Sequence, residues 1–249
     1  MNQFLESFIE NNFQKELELI NSDFSKETFE NWQSPAIEVS NLDIEVLKKI
    51  KNLSEEADSQ FISKYPLANK NDDWCSASAS DSWKELNVLD SSSPYEEKYY
   101  NLTDKKMVKT TKKTTAIQDT SQKREILDLA LTLLGVPNES FIFKIKILAV
   151  NPGGYVHPHK DKTPDAVKCM WIPLHEFSWC LKFFPFGWLK HNFGNGYLIN
   201  NGKYVHAVSN NTKNLRYIMD VHFVNTASNK KLLQWFYNKN NCWQDIFTN

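Results

Sequence analysis

The chain has 249 residues, 41 % apolar and 13 % aromatic, enough for a sizeable core in one large domain or two small ones. A formal net charge of -1 argues against bulk nucleic-acid binding, which needs a basic face. Four cysteines without a Cys-x-x-Cys spacing read as reduced thiols of a cytoplasmic protein, and no apolar run approaches the about 20 residues of a membrane span.

Phe4, Leu5, Phe8, Ile9, Phe13, Leu17 and Ile20 recur at helical spacing along one stripe. A second stripe, Ile44, Leu47, Ile50 and Leu53, follows Ser40-Asn41, where a helix is expected to begin. Residues 69–93 are turn-rich and allow either short strands or an irregular loop. Five lysines and no acid lie between Lys105 and Lys113, the composition of a solvated loop. Thr120 or Ser121 caps a helix that carries Ile126, Leu127, Ala130, Leu131 and Leu134 and ends at Gly135. These features make residues 1–140 an α-rich N-terminal support region.

Phe141 to Val150 is dense in β-branched and aromatic residues and reads as a strand. Asn151-Pro-Gly-Gly is a tight turn into a strand bearing His159-Lys-Asp161. Lys168 to Leu174 is a further strand, and Phe183 to Trp188 is aromatic and broken by Pro185 and Gly187. Tyr197–Asn200, a turn at Asn201-Gly202, and Tyr204–Val208 have the pattern of a hairpin. Leu215–Val224 is the last strand, and Ser228 caps a closing helix with Leu232, Leu233, Trp235 and Phe236. The expectation is a single domain, mainly β with flanking helices. Its core, residues 141–224, is a double-stranded β-helix (a jelly roll, cupin-like), and residues 225–249 form a C-terminal helix and tail.

Residues two apart on a strand share a face, so His159 and Asp161 aim an imidazole and a carboxylate at one point. His206 can supply a third ligand. Two histidines and one carboxylate leave a metal's remaining positions open, as in the facial triad of non-haem Fe(II) sites. Arg216, ten residues past His206, is a guanidinium inside an apolar strand, where a dicarboxylate would be a fitting partner.

Pro152-Gly153 ahead of His159-x-Asp161, Trp171-Ile-Pro-Leu174, Leu198-Ile-Asn200, His206-Ala-Val-Ser-Asn210 and Arg216 together carry a resemblance. The combination resembles the 2-oxoglutarate/Fe(II)-dependent oxygenase superfamily, specifically its aspartyl/asparaginyl β-hydroxylase-like and bacterial proline hydroxylase branch, over roughly residues 141–224. The resemblance implies a dioxygenase that uses Fe(II), 2-oxoglutarate and O2. Such an enzyme hydroxylates a C–H bond of an amino-acid-like group, in a free amino acid or a peptide side chain, with release of succinate and CO2. It assigns the iron to His159, Asp161 and His206, and the far carboxylate of 2-oxoglutarate to Arg216. The animal aspartyl/asparaginyl hydroxylases lack the carboxylate ligand, whereas this chain has Asp161, so their substrate is not carried over.

Lys168 is a further candidate for a cosubstrate carboxylate, against a solvated strand-end lysine. His157, Trp171 and His222 are candidates for the substrate side; for His222 a core histidine with one hydrogen bond is the competing reading. A zinc site of hydrolase type would accept the same ligands but leaves Arg216 without a role. A cupin-like binding module without catalysis is the non-enzymatic alternative.

Overall fold

The computed structural model describes residues 35–63, 83–90, 95–101, 106–112, 120–136, 138–139, 142–159, 169–176, 180–184, 186–223 and 247–248. The helical stripe at 4–20 and the closing helix expected from Ser228 lie outside these residues. The strands are β1 (Ala36–Val39), β2 (Ile62–Ser63), β3 (Trp83–Asp90), β4 (Tyr95–Asn101), β5 (Lys106–Lys112), β6 (Ile142–Val150) and β7 (Tyr155–His159). They continue with β8 (Cys169–Pro173), β9 (Leu181–Phe183), β10 (Gly187–Leu189), β11 (Gly196–Ile199), β12 (His206–Ser209), β13 (Arg216–Phe223) and β14 (Phe247–Thr248). Among the described residues two α-helices, α1 (Ile44–Glu56) and α2 (Ser121–Leu134), precede β6.

One sheet has seven strands in the order β1-β11-β8-β13-β6-β3-β2, and a second has five in the order β14-β10-β9-β12-β7. From β6 to β13 the chain passes back and forth between the two sheets, and every pairing within them is antiparallel. This is the expected jelly roll. Strand alternation gives the large sheet two buried faces. Leu86, Ile145, Ile147, Met170, Ile172, Met219 and Val221 join the core that also holds α1 and α2. Leu148, Val150, Cys169, Trp171, Tyr197, Ile199 and Ile218 face inward and form a second core with Leu181, Phe183 and Val208 of the small sheet. β13 is central and buried on both sides; Tyr217, Met219, Val221 and Phe223 give one wholly apolar face, whereas the inward face mixes Ile218 with Arg216, Asp220 and His222.

Three local expectations are corrected. α1 starts at Ile44 with Asp43 as its cap, not at Ser40-Asn41; the Asp43 carboxylate accepts from the Glu45 and Val46 amides. The lysine-rich segment is the strand β5, paired with β4 as a hairpin, instead of a loop. Its intervening Val108, Thr110 and Thr111 favour extended backbone whatever the charge count. Finally, β11 and β12 do not form a hairpin. The chain does turn after Asn200, whose carbonyl accepts from the Lys203 and Tyr204 amides. Yet β11 pairs with β1 and β8, whereas β12 pairs with β7 and β9. The turn carries the chain across from one sheet to the other.

Thr120 caps α2 by accepting from the Lys123 amide, and Gly135 closes it at φ 66° with its N–H on the Leu131 and Thr132 carbonyls. A Cβ at that left-handed position is strained. Gly135→Ala is therefore expected to lower stability by about 1 kcal/mol in urea unfolding, with an unchanged m-value.

Candidate functional site

β7 ends on His159 and β12 begins on His206, and the antiparallel register sets these two residues directly opposite one another. The approach is made by the turn at Asn151–Gly154, where Gly153 sits at φ 70° and the Gly154 amide donates to the Asn151 carbonyl at 2.8 Å. The register then shifts between His206 and Val208, a bulge that places His159 instead of its neighbour across from His206. Cross-strand partners of an antiparallel pair belong to one face of the sheet. His206 is 2 % exposed and its ring centroid lies 5.8 Å from that of Phe183, in the inner core. Its Nδ1 is 3.3 Å from the Tyr204 carbonyl oxygen. A carbonyl only accepts, so Nδ1 carries a proton, and in the neutral ring the lone pair is on Nε2.

His157 lies two residues before His159 on β7. Asp161 and Lys168 fall outside the described residues. Trp171 and His222 sit on the inward face of the large sheet.

Arg216 occupies the first position of β13, opposite Val150 at the end of β6, and is 5 % exposed. Its charge lies close enough to Cys180, a buried free cysteine that precedes β9, to pull the thiol pKa down against the effect of burial. The Cys180 sulfur in turn lies 3.5 Å from Nδ1 of His191. The His191 ring stands edge-on to Tyr197, with centroids 5.3 Å apart and planes at 82°. Tyr197 anchors this corner. Its hydroxyl donates to Glu38 at 3.0 Å and accepts from the Asn192 amide at 2.8 Å, and Asn195 donates to the same carboxylate at 2.6 Å. Burial pushes the Cys180 thiol up to about 11, so it stays protonated. Burial and then the Arg216 charge bring His191 down to about 3, so its ring is neutral. His175, beyond Leu174, is lowered to about 4 for the same first reason, with Lys51 adding to it. Neither His191 nor Cys180 stands in any recognisable sequence spacing; they come together with Arg216 only through the fold.

The other half of the inward face of β13 is polar. Cys169 and His222 are register partners across β8 and β13, and Asp220 is on the same face. The Cys169 thiol donates to Asp220 Oδ1 at 2.6 Å, His222 Nε2 lies 2.9 Å from Oδ2, and Lys146 is 3.5 Å from Oδ2. Burial alone would raise the Asp220 carboxyl, but His222 and Lys146, with the Cys169 hydrogen bond, hold it far below the usual range. The ligand-type atoms of Cys169, Asp220 and His222 lie within 4.8 Å of one another. They already satisfy each other as a hydrogen-bonded network with Lys146. Since Cys169 opens β8 and Arg216 faces the end of β6, this network and Arg216 are at opposite ends of the interior.

No protein-family model matches the chain, and no curated protein does. Among solved structures it is similar to a 2OG-Fe(II) oxygenase family oxidoreductase from Burkholderia pseudomallei, at 10 % identity over 87 % of this chain and 92 % of that one, with a TM-score of 0.44. It is also similar to a prolyl-4-hydroxylase from Pseudomonas putida, at 10 % identity over 86 % of this chain and 100 % of that one, TM-score 0.44. A third is a non-haem alpha ketoglutarate dependent carbocyclase, SnoK, of nogalamycin biosynthesis, at 14 % identity over 82 % and 85 %, TM-score 0.48. Among the described residues no helix is long and apolar enough to cross a membrane.

His191 is buried neutral down to about pH 3, whereas an unfolded chain's imidazole takes up its proton near 6.5. The unfolded state thus binds the proton first, and stability falls as pH drops from about 6.5 towards 3, by up to roughly 1.4 kcal/mol per pH unit. Urea titrations at pH 7 and pH 5 are expected to show this loss in the wild type and a smaller one in His191→Gln, which has no group to titrate.

Proposed function

We propose that this protein is an Fe(II)- and 2-oxoglutarate-dependent oxygenase that hydroxylates a C–H bond of an amino-acid-like substrate, releasing succinate and CO2. The observation that carries the reading is the register setting His159 across from His206, with Arg216 buried in the same interior. The donor set suits the metal. With its Nδ1–H directed at the Tyr204 carbonyl, the neutral His206 ring would offer Nε2 to the metal. His159 and Asp161 complete a two-histidine, one-carboxylate set.

When bound, Fe(II) and 2-oxoglutarate supply, with O2, the oxidising power to break a C–H bond. The chain's own residues bind, orient and exclude water. Arg216 grips the distal carboxylate of 2-oxoglutarate, where a planar guanidinium gives two parallel hydrogen bonds that a lysine does not. Lys168 is assigned a second carboxylate contact. Leu148, Val150, Ile218 and Phe183 wall the interior with apolar surface, which strengthens the grip on the diacid by keeping water out. His157, Trp171 and His222 are assigned to the substrate side.

Anaerobic addition of Fe(II) and then 2-oxoglutarate to the purified protein is expected to give a weak visible charge-transfer band, and admission of air to give succinate. His206→Ala is expected to lose the band and the succinate while melting within a few degrees of the wild type. A wild type that gives neither signal, but binds zinc at His206, would replace this reading with the hydrolase-type site. One that binds no metal would leave a binding module.

A further inference from the structure

The end of the interior that holds Arg216 contains a polar side chain to which the oxygenase reading gives no task. His191 is 4 % exposed, and its Nε2 is shut off from water with no hydrogen-bond partner. An unsatisfied buried nitrogen of this kind is costly, and native proteins rarely keep one without a use. The direction of its hydrogen bonding follows from its neighbours. The Arg216 guanidinium only donates, so the neighbouring Cys180 thiol has no acceptor there for its own proton. The Cys180 thiol is protonated, and Nδ1 of His191, at 3.5 Å, is the acceptor within its reach. Nδ1 therefore holds the lone pair, and in a neutral ring the proton is on Nε2. The Cys180–His191 pair thus ends in an N–H donor that lies within the field of the Arg216 charge.

Two donors, one of them cationic, in a water-excluded corner form a site for an anionic oxygen pair. We propose that His191 is a second binding residue for the distal carboxylate of the 2-oxo acid, its Nε2–H donating to one oxygen while Arg216 engages the carboxylate, and that the Cys180 thiol fixes the tautomer that makes this possible. The ligand class is a 2-oxo dicarboxylic acid, and the inference rests on the oxygenase reading above. A neutral donor suits this place. A second cation beside Arg216 would repel it, whereas a neutral N–H adds a hydrogen bond without that cost. Tyr197, Glu38 and Asn192 hold the corner from behind and keep the ring from turning away.

The test uses the full chain and two probes of equal length: 2-oxoglutarate, and 2-oxopentanoate, in which a methyl group replaces the distal carboxylate. Both present the same 2-oxo acid group to Fe(II), so the anaerobic charge-transfer band reads the affinity of each. His191→Leu is expected to weaken 2-oxoglutarate about 10-fold or more and to leave 2-oxopentanoate unchanged, the loss of one hydrogen bond to a charged group. His191→Gln retains an N–H and is expected to fall between the two. It also serves as the test variant if His191→Leu does not fold. Cys180→Ala, which frees the tautomer, is expected to weaken 2-oxoglutarate more than Cys180→Ser, which keeps a donor to Nδ1. Equal weakening of both probes would make His191 a packing residue and overturn the proposal, as would no change in either. A wild type that binds neither probe would instead bring down the oxygenase reading itself.

Discussion

The register between β7 and β12 is the constraint on which the candidate site depends. A slip of one residue on a strand exchanges its two faces. With such a slip, His206 would leave the interior, and His159 would no longer lie across from it. The sequence encodes the alignment with a bulge on one side and a Pro-Gly-Gly turn on the other. The inner core, from Phe183 to Val208, then makes the alternative costly by burying apolar side chains that a slipped strand would expose. The two histidines are thus placed by packing at a distance from them, and the metal reading inherits its geometry from that packing.

The interior is divided along β13. At one end Arg216, Cys180 and His191 form a short polar chain. In the middle Ile218, Leu148 and Trp171 are apolar. At the other end Asp220, His222, Cys169 and Lys146 form a second polar group. Burying this many ionisable groups works against stability unless each is paired, and the Asp220 network is paired throughout. A central strand thus carries a buried cation at its start and a paired anion near its end.

Much of this arrangement was legible in the sequence, for identifiable reasons. β6 and β13 are long and rich in β-branched and aromatic residues, and α2 has a cap, a stripe and a terminal glycine, so local signals agree with the final structure. His206 and Arg216 stood out because polar residues in apolar strands need an explanation. The hairpin expected at Asn201-Gly202 failed because a turn signal states that the chain reverses, not which sheet receives the returning strand. The lysine run misled because charge reports on solvent, whereas extended backbone follows from the residues between the lysines. Cys180 and His191 were not legible at all. Nothing in their spacing brings them to Arg216, and a thiol that sets an imidazole tautomer leaves no pattern along the chain.

Asn210 has a consequence of its own. It is fully buried, its side-chain amide donates to the carbonyls of Val150 and Asn214 at 2.8 and 2.7 Å, and its backbone exchanges hydrogen bonds with Gly153 and Gly154. One residue therefore pins the bend that launches the strand of His159 to the bend that launches the strand of Arg216. The relative position of the two strands is set at this pin. On the proposed chemistry, loosening that pin would let the metal-bearing strand and the carboxylate-gripping strand drift against each other.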